Sequence, residues 1–195
     1  ATAASRVQRV PPWRRMSFSF PGAGRKLDEV VKVELLKDEQ PARVEEIWLE
    51  FHDKKHNAFG KVFGEEQFST LTANAAACPF FIVPVIKEDG AFFNLLSQWQ
   101  DTVFLLTFLD DYQADPTSAQ PYLTISTYGE LLESKQMGLL RGDVGAALKY
   151  AEAEAVTQVL LSAYTDPGQF RRVSIFNNAP DEFDFEEYLS FVKGP

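Results

Sequence analysis

Cysteine is almost absent from this 195-residue chain, which has a single one, Cys78. One cysteine cannot form an internal disulfide framework or supply a cysteine-based zinc site. Such scarcity is typical of proteins in a reducing compartment, for example the cytosol or an organelle matrix. No basic residue lies near Cys78 in the sequence, so we expect a buried or inert thiol rather than an activated nucleophile.

Long apolar runs are also missing. The two longest, residues 80–86 and 103–109, have the length of strands and fall far short of the roughly 20 residues that span a bilayer. The sequence therefore predicts no membrane insertion. The length of the chain suits one globular domain.

Acidic residues are missing from the first 26 positions, which carry six basic side chains. The other 169 residues hold all 28 acidic residues and only 13 basic ones. A body this acidic is a poor candidate for a nucleic-acid surface, because phosphate binding requires a positive footprint. We therefore divide the chain into a basic, flexible arm at 1–25 and a domain at 26–195.

The arm has the arginine-rich, acid-free composition of an organelle-targeting segment. Its aromatic residues, among them Trp13 and Phe18, exceed what a cleavable address requires. We interpret the arm first as a targeting remnant. The second interpretation is a docking arm in which Trp13 and Phe18 contact a partner.

The first part of the body is predicted to be helical, because apolar residues recur there at spacings of three and four. Pro41 suits the first turn of the second of these helices. The predicted ranges are 26–36, 41–55 and, for a short third helix, 65–72.

The middle of the chain is rich in aromatic and β-branched residues and predicts consecutive strands. Asp89-Gly90 is the two-residue signature of a hairpin turn between the first two. Pro84 inside the first strand indicates an edge position, a bulge or a break. The predicted strands are 79–87, 91–98, 102–109 and 122–126, with a loop at 110–119.

The last third is predicted to return to helices. Thr127 and Glu130 form a capping-box pattern for a helix to about Lys135, and Asp143 is a good N-cap for a long helix over 144–164. A final strand over 170–176 and an acidic, aromatic helix over 181–192 follow. The fold class is therefore α+β: a single domain with a largely antiparallel (mixed) sheet of about five or six strands, flanked by helices.

No set of residues at a readable spacing builds an active site. His52 and His56 lie four apart on a predicted helix and could share a metal, but no third ligand is evident. The carboxylates at 181–187 are explained more simply by a favourable interaction with the dipole at the start of a helix than by a catalytic role. The chemistry indicates a binding protein without a cofactor, and 17 phenylalanines are enough to leave an exposed protein-binding patch.

Several stretches together resemble one family, the mitochondrial assembly factors that chaperone the β subunit of the ATP synthase F1 head. The most specific are the P-F-F-I-x-P stretch at 79–84 and the F-N-x-x-P-x-x-F-x-F ending at 176–185. They occur in order with the Lys26-Leu27 helix opening, Ile47-Trp48-Leu49-Glu50-Phe51-His52, the Gly90 turn and Leu139-Leu140-Arg141-Gly142-Asp143. The match covers roughly residues 26–187 and leaves the arm outside.

The resemblance implies a chaperone of the mitochondrial matrix, monomeric when free and without enzymatic activity or cofactor. It implies that the protein binds the free F1 β subunit, shields the apolar surface that the α subunit would occupy, and releases β when α arrives. The expected contact residues are Phe176, Asn177, Pro180, Phe183 and Trp48, although each could instead have a buried structural role.

Two alternatives from other classes stay open at this point. One is a small metal-dependent hydrolase that uses His52, His56 and a carboxylate. The other is a structural subunit of a larger organelle complex, which would co-purify with it stoichiometrically.

Overall fold

A single antiparallel sheet forms the centre of the molecule. The computed structural model describes residues 24–194. Within this range six strands pair in the order β1-β6-β5-β4-β3-β2, so that β2 to β6 form a meander and β1 lies beside β6. Helices flank the sheet, which confirms the predicted α+β class. The strands are β1 (Ala58–Gly64), β2 (Phe80–Ile86), β3 (Phe92–Gln100), β4 (Val103–Phe108), β5 (Pro121–Tyr128) and β6 (Met137–Val144).

Three helices of the described residues precede β1, three lie between strands, and three follow β6. The helix predicted over 26–36 is two short helices, because the backbone is extended at Val31 and Lys32. The predicted loop at 110–119 contains a further short helix. The helices are α1 (Leu27–Val30), α2 (Val33–Lys37), α3 (Pro41–Asp53), α4 (Glu65–Ala77), α5 (Leu109–Ala114), α6 (Leu132–Lys135), α7 (Tyr150–Thr165), α8 (Pro167–Asn178) and α9 (Phe185–Lys193), with a 3₁₀ turn at Pro180–Glu182.

The hairpin between β2 and β3 forms where the sequence predicts it. Gly90 has a φ of +83°, a value that favours glycine, and its N–H donates to the Lys87 carbonyl oxygen over 2.9 Å. The Asp89 carboxylate accepts the Ala91 N–H over 3.0 Å. The edge position predicted from Pro84 is confirmed, because β2 is the last strand of the sheet.

Strands β1 and β6 are absent from the sequence prediction, and the interpretation of Asp143 as an N-cap is wrong. Asp143 lies in β6, and α7 begins later, at Tyr150. Strand β6 shows no clear hydrophobic pattern in the sequence, because some of its positions are glycine. A Cβ at Gly138 would lie 2.0 Å from the Phe68 ring, and a Cβ at Gly142 would lie 2.1 Å from the Phe59 ring. Aromatic rings from other elements therefore occupy the space of the missing side chains.

Two further predictions are wrong for local reasons. Thr127 opens no helix, because it lies in β5 and its N–H and hydroxyl both donate to the Thr102 carbonyl oxygen. Residues 170–176 form part of α8 rather than a strand. Pro167 occupies the first turn of that helix, and the Asp166 carboxylate accepts the Gln169 N–H over 2.9 Å as a cap.

The two faces of the sheet carry separate buried clusters. The larger one joins α4, α7, α8 and α9 to side chains such as Phe104, Ile125 and Leu140. The smaller one joins α1, α2 and α3 to the other face, where Leu139 points opposite to Leu140. Both put aromatic and aliphatic surface out of water, which is the main stabilising contribution to folding. Among residues 24–194, no helix combines the length and hydrophobicity needed to span a membrane.

Candidate interaction surface

The C-terminal helix α9 carries the clearest exposed apolar surface. The Asp184 carboxylate accepts the Glu187 N–H over 2.9 Å and starts the helix. Tyr188 and Leu189 are buried against the core, which fixes the orientation of the helix. In the next turn of the helix, Phe191 points outward and is 48% exposed. An amphipathic helix thus presents an aromatic residue to solvent.

A second exposed aromatic residue lies beside this helix. Phe92, at the start of β3, is 39% exposed, and its ring centroid lies 6.1 Å from that of Phe185. Lys193 Nζ lies 5.0 Å from the Phe92 centroid, and the Arg172 guanidinium lies 4.5 Å from the Phe191 centroid. We call Phe92, Phe185 and Phe191, with Arg172 and Lys193, the α9 surface. It combines aromatic rings with two cations, of which Arg172 also pairs with Glu187 over 2.8 Å.

Buried aromatic rings support the α9 surface from below. Phe81 lies at their centre, with ring centroids of Phe176, Phe183 and Tyr188 at 5.8, 6.1 and 5.2 Å. Phe176 and Tyr188 are buried, and burial raises the pKa of the Tyr188 hydroxyl. Edge-to-face pairs of this kind add about 0.5–1.5 kcal/mol each beyond the area that they bury.

Asn177 connects this aromatic cluster to the edge of the sheet. Its Oδ1 accepts the Phe80 N–H over 3.1 Å, and its Nδ2 donates to the carbonyl oxygens of Phe80 and Val173 over 2.6 and 2.8 Å. The side chain therefore pairs with the backbone of β2 as a neighbouring strand would. The side chain is buried, and these hydrogen bonds give it a structural role in the folded chain.

The residues predicted to contact a partner differ widely in accessibility. Phe176, Asn177 and Trp48 are buried, whereas Phe183 and Pro180 are half-buried beside the α9 surface. Trp13 and Phe18 lie outside the described residues. Contact with a partner stays a prediction for all seven residues. The sequence did not single out Phe92 or Phe191. The Phe92-Phe93 doublet was the available signal, because only one of two successive strand residues can face the core.

The two histidines do not lie on one helix, as the prediction required. Helix α3 ends at Asp53, before His56. His52 is buried, with Nδ1 2.8 Å from the Trp48 carbonyl oxygen and Nε2 3.1 Å from Arg141 Nη1. Since arginine only donates, Nε2 must accept and Nδ1 must carry the proton.

Burial is the main cause that lowers the pKa of His52, and the backbone bond to Trp48 opposes it. Arg141 is held in turn by Asp143, with Nη2 2.6 Å from a carboxylate oxygen. Both ring nitrogens of His52 are thus engaged within the protein. Within residues 24–194, no group of three or more His, Cys, Asp or Glu side chains is arranged to hold a metal ion. Cys78 is buried, as the sequence predicts.

Comparison with known proteins places these features in a family context. Residues 15–189 match the family described as ATP11 protein. A Mus musculus protein named ATP synthase mitochondrial F1 complex assembly factor 1 is 29% identical over 169 residues, covering 85% of this chain and 51% of that protein. The Homo sapiens protein of the same name is 27% identical over 169 residues, covering 85% and 50%. The chain spans about half the length of the curated relatives it matches.

Proposed function

The chain belongs to the ATP11 protein family, and from that premise we propose that it is a chaperone in the assembly of the mitochondrial ATP synthase F1 sector. Its client is the free F1 β subunit. The chaperone acts in the matrix, covers the apolar surface of β that the α subunit would occupy, and has no enzymatic activity. The family membership agrees with the resemblance found in the sequence.

The observation that carries the proposal is the α9 surface. Two of its phenylalanines are well exposed, at 39% and 48%, in a chain that buries most of its large apolar side chains. Aromatic residues with an adjacent arginine are enriched where proteins bind one another. An exposed, rigidly supported patch of this kind suits a client that itself presents apolar surface before assembly.

The size of the surface suits a temporary hold. A few exposed aromatic rings with a charged rim favour an interface of moderate area, whereas obligate subunit contacts are larger and more apolar. The obligate contact between α and β can then replace the smaller contact between the chaperone and β. In this proposal Phe176 and Asn177 act by holding α8, α9 and β2 in place, and Phe183 and Pro180 lie at the rim of the contact.

The hydrolase alternative has no support from the geometry of the histidines. His52 uses both ring nitrogens within the protein, and His56 lies beyond the end of α3.

A matched set of variants tests the proposal. We expect purified F1 β subunit to remain soluble on dilution from denaturant with the wild-type chain, and to aggregate with a Phe92→Ser/Phe191→Ser variant. Leu35→Ser is the control, because Leu35 is 63% exposed but lies on α2, away from α9. It should protect β as the wild type does.

The readouts separate loss of binding from loss of folding. Light scattering reports β aggregation, and thermal unfolding of each variant reports its stability, which surface substitutions should change by less than about 0.5 kcal/mol. The proposal fails if the folded double variant protects β as well as the wild type. It also fails if the wild-type chain does not protect β at all.

A further inference from the structure

The edge strand β1 turns half of its backbone groups away from the sheet. The Val144 N–H donates to the Asn57 carbonyl oxygen over 2.8 Å, and the Glu65 N–H donates to Gln136 over 2.9 Å. These bonds flank the β1·β6 ladder and fix its alternation, so Phe59, Lys61 and Phe63 direct their N–H and C=O groups toward β6. The groups that point outward belong to Ala58, Gly60, Val62 and Gly64. Within the described part of the chain, β1 has β6 as its single strand neighbour.

A continuous groove follows α7, first along β1 beside α3 and then, beyond the end of β1, beside α4. Three adjoining cavities of about 360, 350 and 460 Å³ make up its length. The first two share Leu49 and Gly60, and the last two share Gln67, Ser162 and Thr165. Helix α7 has 16 residues, so at 1.5 Å per residue the groove has a wall of roughly 24 Å. That length matches an extended segment of about seven residues.

The opposite edge of the sheet is protected, which makes β1 exceptional. In β2, Pro84 lacks a backbone donor, and the Asn177 side chain occupies the N–H and C=O of Phe80. Native sheets block their edges with such devices because an open strand recruits another strand. Strand β1 contains no proline, and glycine occupies two of its four outward-facing positions. The open edge is therefore suited to strand addition.

The walls of the groove indicate what kind of segment it accepts. Leu49 and Tyr150 line it and are 42% and 36% exposed, so apolar side chains of a partner could be covered there. Its two ends are acidic. The exposed carboxylates Glu50, Asp53 and Glu154 lie at one end, Glu66 and Asp166 lie at the other, and Lys61 is the one cation that lines these cavities.

We propose that β1 accepts an extended, apolar segment of the client, flanked by lysine or arginine, as a seventh strand of the sheet. Backbone hydrogen bonds to Gly60, Val62 and Gly64 provide the affinity, and the acidic ends of the groove select the flanking cations. This inference rests on the proposed function, since the client is the F1 β subunit. It adds a second contact, on the opposite edge of the sheet from the α9 surface.

The basic arm of this chain is the alternative occupant, which hydrogen exchange of the free chain distinguishes from the client. A Cβ on Gly24, the first described residue, would lie 2.5 Å from Val103 Cγ2 and 3.1 Å from Ser126 Oγ. The described fold therefore begins against β4 and β5, two or more strands away from β1.

Amide hydrogen exchange of the labelled full chain, followed by NMR, tests the inference directly. On addition of saturating F1 β subunit, the Gly60, Val62 and Gly64 amides should exchange at least tenfold more slowly. If β binds and stays soluble while these amides are unchanged, strand addition is wrong and the proposed function stands. If β does not bind, both fall. Protection of these amides already present in the free chain would indicate that the arm occupies the edge. Protection that grows with the concentration of the free chain would indicate a second copy. Either result would also overturn the inference.

A pair of substitutions at Gly64 gives an independent test. Gly64 has a φ of −67°, which proline also adopts, and a Cβ there would meet nothing within 4 Å. Gly64→Pro removes one outward N–H, whereas Gly64→Ala keeps it. We expect Gly64→Pro to weaken β binding by about tenfold and Gly64→Ala to leave it unchanged. Equal affinities of the two folded variants would overturn the inference.

Discussion

His52 is a buried histidine whose two ring nitrogens are both used, and this makes the stability of the protein depend on pH. Burial lowers its pKa in the folded chain below the ordinary histidine value of 6.5. The unfolded chain therefore binds a proton at a higher pH than the folded chain does. The contribution of His52 to stability should be complete above about pH 7 and should be lost as the pH drops below 6.5 toward the folded-state pKa. Thermal unfolding measured between pH 5 and pH 8 checks this expectation.

Two variants assign that pH dependence to the correct residue. His52→Gln should lower the melting temperature at pH 8 but flatten its decrease toward pH 5, because the titrating group is gone. His56→Gln should leave both unchanged, since His56 is exposed and beyond the helix. An unflattened profile in His52→Gln would show that another group titrates.

At the scale of secondary-structure elements, Asn177 joins α8 to the protected edge strand β2. Asn177→Ala removes hydrogen bonds to both backbone groups of Phe80 and leaves them without these partners in a partly buried position. We expect the free energy of unfolding to fall by about 2–3 kcal/mol. Urea unfolding measures it, with Asn178→Ala as the adjacent control. Asn178 is exposed and donates to Ser174 Oγ over 3.3 Å and to Cys78 Sγ over 3.9 Å, so a loss below about 1 kcal/mol is expected there. Equal losses in the two variants would contradict this role of Asn177.

The sequence predicts those elements whose signals are local. The β2–β3 hairpin follows from Asp89-Gly90 and its flanking apolar runs, and α3 follows from Pro41 and its periodic face. Strand β6 could not be predicted in the same way, because Gly138 and Gly142 have no side chains to show an apolar pattern. The rings of Phe68 and Phe59 fill the space beside them. Those rings come from distant parts of the chain. Helix α8 was mistaken for a strand because its aromatic residues suit either structure when their packing is unknown.

At the scale of the whole molecule, the family of the chain is easier to predict from the sequence than the surface that we propose binds the client. The motifs that carry the resemblance include Phe81, Phe176 and Asn177, which are buried and fix how α8 and α9 pack on β2. The exposed members of the α9 surface become visible only when the sheet and helix are assembled. The groove along β1 likewise depends on the distance between α3 and α7, which no local pattern contains.

Release of the proposed client would be a property of the whole assembly. If the chain holds β through the α9 surface and one edge strand, the contact should be small compared with the obligate contact between α and β. We expect a soluble complex of this chain with β that gives way to an α–β complex when equimolar α is added, with the chain recovered free. Size-exclusion chromatography with each protein quantified separately measures this exchange, and addition of an unrelated protein at the same concentration is the control. A ternary complex of the chain, α and β that persists would instead indicate a structural subunit, and the release step would be wrong.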